Sequence, residues 1–236
     1  TGIKINLVNS NNVYSFKQFG SYAVPAKEIT FDKDFHIEFE TLSNFFDCFQ
    51  SASKIKFNAF DTSKIKYFTN AFLNCSVLES LDLTCFDTSN ATEIDQMFRN
   101  CTSLKFVNLS SFNTENVVYL MTMFQNCSSL KTVDLSNFRT PKIMNMDEIF
   151  KNCTSLLYIN LSSFNTSNVW GMRNTFENCS SLKTIDLSSF NTEELTSTTS
   201  MFSGCSSLES LDLSNFYTPK LAELQNMFSD CSSLKS

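Results

Sequence analysis

Apolar residues in this chain follow two alternating rhythms. In Leu182-Lys-Thr-Ile185-Asp-Leu187, apolar and polar positions interleave around a branched residue, which predicts a short, half-buried strand. Val117, Leu120, Met121, Phe124 and Cys127 instead fall on one face at a spacing of roughly 3.6 residues, which predicts a helix. Both rhythms recur with one period. Cysteine stands at Cys75, Cys101, Cys127, Cys153, Cys179, Cys205 and Cys231, each 26 residues from the last. Phenylalanine keeps the same step from Phe60 to Phe216 and again from Phe72 to Phe228, and threonine from Thr62 to Thr218. So regular a period predicts a solenoid.

Local signals place the ends of each predicted helix. The repeated threonine precedes the helical run and reads as an N-cap. Pro141 follows Thr140 and Pro219 follows Thr218, the first helical position, where a missing N–H costs least. Before each cysteine stands Asn74, Asn100, Asn126, Asn152, Asn178, Gly204 or Asp230. Asn and Gly accept the left-handed conformation that ends a helix, and their exchange points to the backbone as the reason for both.

One strand-and-helix unit cannot bury its own apolar side, but stacked units bury it in continuous ladders of Leu, Phe and Cys. Strands in register about 4.8 Å apart would form a parallel sheet along one face. The expected fold is an α/β repeat: a right-handed solenoid with a parallel β-sheet on one face and short helices on the other.

The repeat is expected to fill residues 42–236, about seven units, with residues 1–41 as an N-terminal cap of irregular strands. Ile3 to Leu7, Ile29 to Phe31 and His36 to Glu40 read as those strands, with a turn over Gly20 to Pro25. Cys48 to Cys75 is 27 residues, which places one extra residue before Phe60. At the far end Leu234-Lys-Ser236 reads as the start of another strand, so the C-terminal edge is expected to be open, by truncation or for self-association.

Composition narrows the function. With 18 Lys and Arg against 24 Asp and Glu, the net charge of −6 argues against nucleic acid, which asks for a basic patch. The single histidine, His36, rules out a Ser-His-Asp arrangement elsewhere and is expected to be structural. Four glycines leave no phosphate loop. No enzyme activity and no cofactor are expected. No stretch is long and apolar enough to span a membrane.

In-register cysteines would sit with Cβ atoms about 4.8 Å apart, against roughly 3.8 Å in a disulfide. Buried free thiols are therefore the first expectation, with an inter-turn bridge or a metal as alternatives. No C-x-x-C pair supports zinc, and a flat ladder supplies few of the oxygens calcium needs.

Leu182, Ile185 and Leu187 fit the L-x-x-L-x-L spacing of leucine-rich repeats, with Phe190 where an asparagine is usual. The combination S-L-x-x-[LIV]-[DN]-L-S-x-F-x-T followed by M-F-x-x-C-S-S-L resembles the repeat of the BspA-like leucine-rich repeat family; Leu208 to Leu234 carries it in full. The resemblance covers roughly residues 42–236 and implies a cell-surface or secreted protein engaged in adhesion. It implies no catalytic residues.

Three outward columns make up the strand face. One holds Asp82, Asn108, Asp134, Asn160, Asp186 and Asp212; a second, Thr84 to Ser214, carries hydroxyls. The third holds Ser80, Phe106, Thr132, Tyr158, Thr184 and Ser210. Phe106 and Tyr158 are the candidate anchors for a protein or glycan partner, with a plain solvated sheet as the alternative. Trp170 is a candidate outer contact, although packing against the next helix is the expectation. N-x-S/T sequons at Asn74, Asn90, Asn100, Asn108, Asn126, Asn152, Asn160, Asn165 and Asn178 mostly fall out of the repeat. Two functions remain: an extracellular or surface adhesion module, or a structural subunit assembling end to end into a fibre or sheath.

Overall fold

The computed structural model describes residues 4–7, 27–31, 39–58 and 60–235. His36 and the Gly20 to Pro25 turn lie outside them. Short parallel strands stack coil upon coil: β1 (Lys4–Leu7), β2 (Glu28–Phe31), β3 (Lys54–Phe57), β4 (Ser80–Asp82), β5 (Phe106–Asn108), β6 (Thr132–Asp134) and β7 (Tyr158–Asn160). The first five form one sheet in chain order, and β6 and β7 a second. Glu28 faces Lys54, Ser80 faces Phe106 and Thr132 faces Tyr158. Strand register thus equals sequence period. Thr184–Asp186 and Ser210–Asp212 continue the column without strand hydrogen bonding.

The opposite wall is not helical. Among the described residues the helical structure is one 3₁₀ turn, Asp47–Phe49. Where helices were expected, single parallel bridges run through Thr41, Tyr67, Glu93, Tyr119, Asn145, Gly171, Ser197 and Glu223. Two residues per coil explain this. Thr122 (φ 55°) and Asn126 (φ 62°) are both left-handed, and so are their equivalents, Gln96 and Asn100 before them and Glu148 and Asn152 after. A right-handed helix cannot pass through such residues. Amide donation alternates instead. Gln125 and Cys127 donate three residues back, to Thr122 and Phe124, whereas Thr122, Phe124 and Asn126 donate to Asp147, Ile149 and Lys151 of the next coil. Consecutive tight turns therefore produce the three- and four-residue apolar spacing that imitates a helix.

The threonine does not cap a helix; it ties coils together. Thr88 Oγ1 donates to the Asn113 carbonyl (2.9 Å) and accepts from the Asn113 amide (2.8 Å). Thr140 does the same to Asn165, and Thr166 to Asn191. Each of these hydroxyls is buried, and each satisfies both backbone groups of one residue in the following coil. A buried carbonyl or amide left without a partner costs roughly 1–3 kcal/mol, so the hydroxyl accounts for the period-locked threonine.

The asparagine column is left-handed as expected, from Asn74 (φ 60°) to Asn178 (φ 59°), with Gly204 at φ 73°. The side chain matters as well as the backbone. Asn100 Nδ2 donates to Asn74 Oδ1 (2.7 Å), Asn126 to Asn100 (2.6 Å), Asn152 to Asn126 (2.7 Å) and Asn178 to Asn152 (2.8 Å). The ladder stops at Gly204, where a Cβ would lie 2.1 Å from Asn178 Oδ1. With Nδ2 engaged in this way at Asn100, Asn126, Asn152 and Asn178, these sequons serve the architecture.

Inside, like residues meet. Phe72, Phe98, Phe124, Phe150, Phe176 and Phe202 stack at centroid separations of 5.4–5.7 Å, nearly parallel. Phe112, Phe138 and Phe164 form a second stack at 6.1 and 6.3 Å. The first coil corrects the expected slip: Phe46, not Phe45, stacks on Phe72 (4.4 Å, 6°), and Thr41 bridges Tyr67. The 26-residue step is unbroken there, no residue is inserted, and Cys48 lies one place off the cysteine column. Pairing of β2 with β3 carries the step back to Glu28.

All nine cysteines are free. In the 26-residue column from Cys75 to Cys231, which leaves out Cys85, each thiol donates to the carbonyl of the phenylalanine 29 residues earlier, as Cys127 does to Phe98 O (3.1 Å). The cysteine is thus a packing residue that also satisfies a buried carbonyl. Burial pushes Cys101, Cys153 and Cys205 up from 9.0 to about 12. A raised folded-state value means the unfolded chain loses these protons first. Stability should therefore hold below pH 9 and fall between pH 9 and about 12, as the urea midpoint measured against pH would show. A flat midpoint across that window would contradict the buried thiol column.

Candidate functional site

The strand face is built as the alternation requires. Val107 and Ile159 point inward and are buried, while Phe106 and Tyr158 point outward, 52% and 58% exposed. They occupy one column, with Thr132 of the intervening coil between them. Leu157, beside Tyr158, is also exposed, where Lys105, Lys131 and Lys183 occupy the equivalent places. Lys105 is bound to Glu79 (2.8 Å) and Lys183 faces Glu209 (3.4 Å); among the described residues Lys131 has no ion-pair partner.

The acidic column has a structural duty. Oδ1 of Asp82, Asn108, Asp134, Asn160, Asp186 and Asp212 each accepts the amide two residues on, at 2.8–3.2 Å. These bonds turn the chain out of the strand, and they explain why Asn and Asp interchange there. Hydrogen bonds from Ser188 and Ser214 hold Asp186 and Asp212 below the ordinary carboxylate range. Among the described residues no group of three or more His, Cys, Asp and Glu side chains could hold a metal ion.

Trp170 is 39% exposed, not packed against a helix. It stands next to the bridge column, where the preceding coils place Met144 (46% exposed) and half-buried Val118. Reading the 26-residue step outward from Trp170 would have found this apolar stripe. A charged cluster was also missed: Arg173 Nη2 lies 2.7 Å from Glu223 Oε2 and Nη1 3.7 Å from Asp147 Oδ2. One guanidinium thus clasps residues on both sides of it along the solenoid, and its hydrogen bonds hold Glu223 below its ordinary range. Its step of 26 residues to Asp147 is the repeat itself, whereas the 50-residue step to Glu223 falls off the period and has no sequence signature.

Parallel coils, inward leucines at L-x-x-L-x-L spacing and period-locked register define a leucine-rich-repeat-like solenoid. The model of the DUF285 family, described as a Mycoplasma protein of unknown function, matches residues 40–157 and 122–236, and the chain belongs to that family. Among solved structures it is similar to a leucine-rich repeat protein of T. pallidum: TM-score 0.45, 15% identity, 90% of this chain and 79% of that one. A chain of the Drosophila Toll–Spatzle complex gives TM-score 0.37 and 18% identity over 83% of this chain and 30% of that one. A TLR13–ssRNA13 complex gives 0.31 and 16% over 88% and 35%. No curated protein sequence matches. No helix among the described residues is long and apolar enough to cross a membrane.

Proposed function

We propose that the chain is a non-enzymatic recognition module of a cell-surface or secreted protein, binding a protein partner across the strand face. The observation that carries this reading is the pair Phe106 and Tyr158. Both rings are more than half exposed, in one outward column two coils apart, on strands whose backbone is held by neighbouring coils. Large exposed aromatics on a fixed backbone favour binding, because each buries much surface for the loss of only two side-chain torsions. The BspA-like repeat pattern supports adhesion as the setting.

Binding to an array of matrix proteins tests it. Phe106→Ala with Tyr158→Ala should weaken the best partner by at least about tenfold, roughly 1.4 kcal/mol. Unchanged affinity in the double variant would sink the strand-face reading. End-to-end assembly is the second reading, favoured by coils that join one another through parallel bridges and strand pairs. A mass that rises with concentration in light scattering would support it.

A further inference from the structure

We propose that the depression around Trp170 is a second binding site, on the bridge wall, for a neutral carbohydrate. It holds about 390 Å³ and is lined by Lys142, Met144, Asn168, Trp170 and Glu194. Two kinds of surface meet there. Met144 and Trp170 supply an apolar floor from adjacent coils, and Trp170 is the chain's single tryptophan. Lys142, Asn168 and Glu194 supply a polar rim from three successive coils at the same place in the repeat.

The rim is anchored, yet keeps hydrogen-bonding capacity. Lys142 Nζ donates to Asn116 Oδ1 (2.7 Å), which occupies one of its three protons. Asn168 Nδ2 donates to the Pro141 carbonyl (2.9 Å), and its Oδ1 has no partner among the described residues. Glu194 accepts from Lys220 at both oxygens (2.6 Å each), which fixes the carboxylate and leaves further lone pairs. The indole N–H of Trp170 likewise has no partner among the described residues. Donors and acceptors therefore ring an aromatic plate whose backbone is fastened: the main-chain N–H of Trp170 donates to Met144 O (3.0 Å), and its main-chain carbonyl accepts from both the amide and the hydroxyl of Thr196 (2.9 Å each).

Charge and backbone chemistry select the ligand. A cation would meet Lys142 and an anion would meet Glu194, so neither sign is favoured. A peptide adding as a strand needs free backbone donors and acceptors, but around Trp170 these are spent between coils. A purely apolar ligand would strand three polar side chains. A pyranose fits each requirement. Its C–H face lies on an indole, its hydroxyls both donate and accept, and it carries no charge. The site shares no residue with the strand face and stands or falls apart from it.

The single tryptophan makes the test direct. An array of neutral glycans, followed by titration of tryptophan emission with maltotriose, chitotriose and N-acetyllactosamine, should show a saturable change with at least one sugar, at a Kd of about 1 mM or tighter. By calorimetry, Trp170→Ala and Asn168→Ala should each weaken that sugar by about tenfold or more, and Trp170→Phe by less. The Phe106→Ala, Tyr158→Ala double variant should bind it as the wild type does. A blank array with flat titrations overturns the proposal, as does undiminished binding by folded Trp170→Ala and Asn168→Ala proteins. Loss of sugar binding in the strand-face variant would also overturn it, by moving the site to the other wall.

Discussion

Phe124→Ala is expected to cost about 3–5 kcal/mol of unfolding free energy, the range for emptying a fully buried aromatic position. Phe124 lies between Phe98 at 5.4 Å and Phe150 at 5.5 Å, and none of its surface is exposed. Its replacement removes both stacking contacts and leaves a void at the centre of a solenoid, where each coil is held chiefly by its two neighbours. Urea unfolding should show a lower midpoint. It should also lose its single transition, because the coils on either side of the void become separately unstable. Phe124→Leu fills much of the space and should cost clearly less. A loss below about 1 kcal/mol in the alanine variant would mean that the ladder is not the main support.

Asn126→Ala is the second large effect. Alanine held at φ 62° costs about 1–2 kcal/mol. Removing the carboxamide also leaves Asn100 Oδ1 and Asn152 Nδ2 without their rung, at about 1 kcal/mol for each lost bond. A total of roughly 3–4 kcal/mol follows. Asn126→Gly separates the two causes, since glycine accepts the backbone angle but not the rungs. It should lie between the alanine variant and the wild type in urea melts. Equality with alanine would remove the backbone from the account, and equality with the wild type would remove the ladder.

Several residues show why some of this was legible in the chain and some was not. The inward leucines, both phenylalanine columns and the cysteine column all follow from periodicity, because identical neighbours in a stack of coils must meet. Left-handed asparagine was legible because only a few residue types tolerate that angle. Helices were a false reading for a definite reason. Thr122, Gln96 and Glu148 are left-handed without any compositional sign of it, and only the neighbouring coil's carbonyls make that conformation worthwhile. Thr88 was misread on the same ground: its hydroxyl partner is 25 residues away, not three. Of the candidate residues, Phe106, Tyr158 and Trp170 are exposed, while the Asp and Asn column spends one oxygen per residue on its own turn.

The sequence by itself determined the period, the solenoid, the strand positions and which side chains lie inside, since all of these depend on spacing along one chain. The tertiary structure decided the rest: that the second wall is built of turns and bridges, that the repeated threonine hydroxyl ties one coil to the next, and that Arg173 reaches Glu223 off the period. The physical reason is common to all three. Each depends on hydrogen bonds and contacts between coils, and their strength is set by the other coil's geometry, which no local pattern encodes.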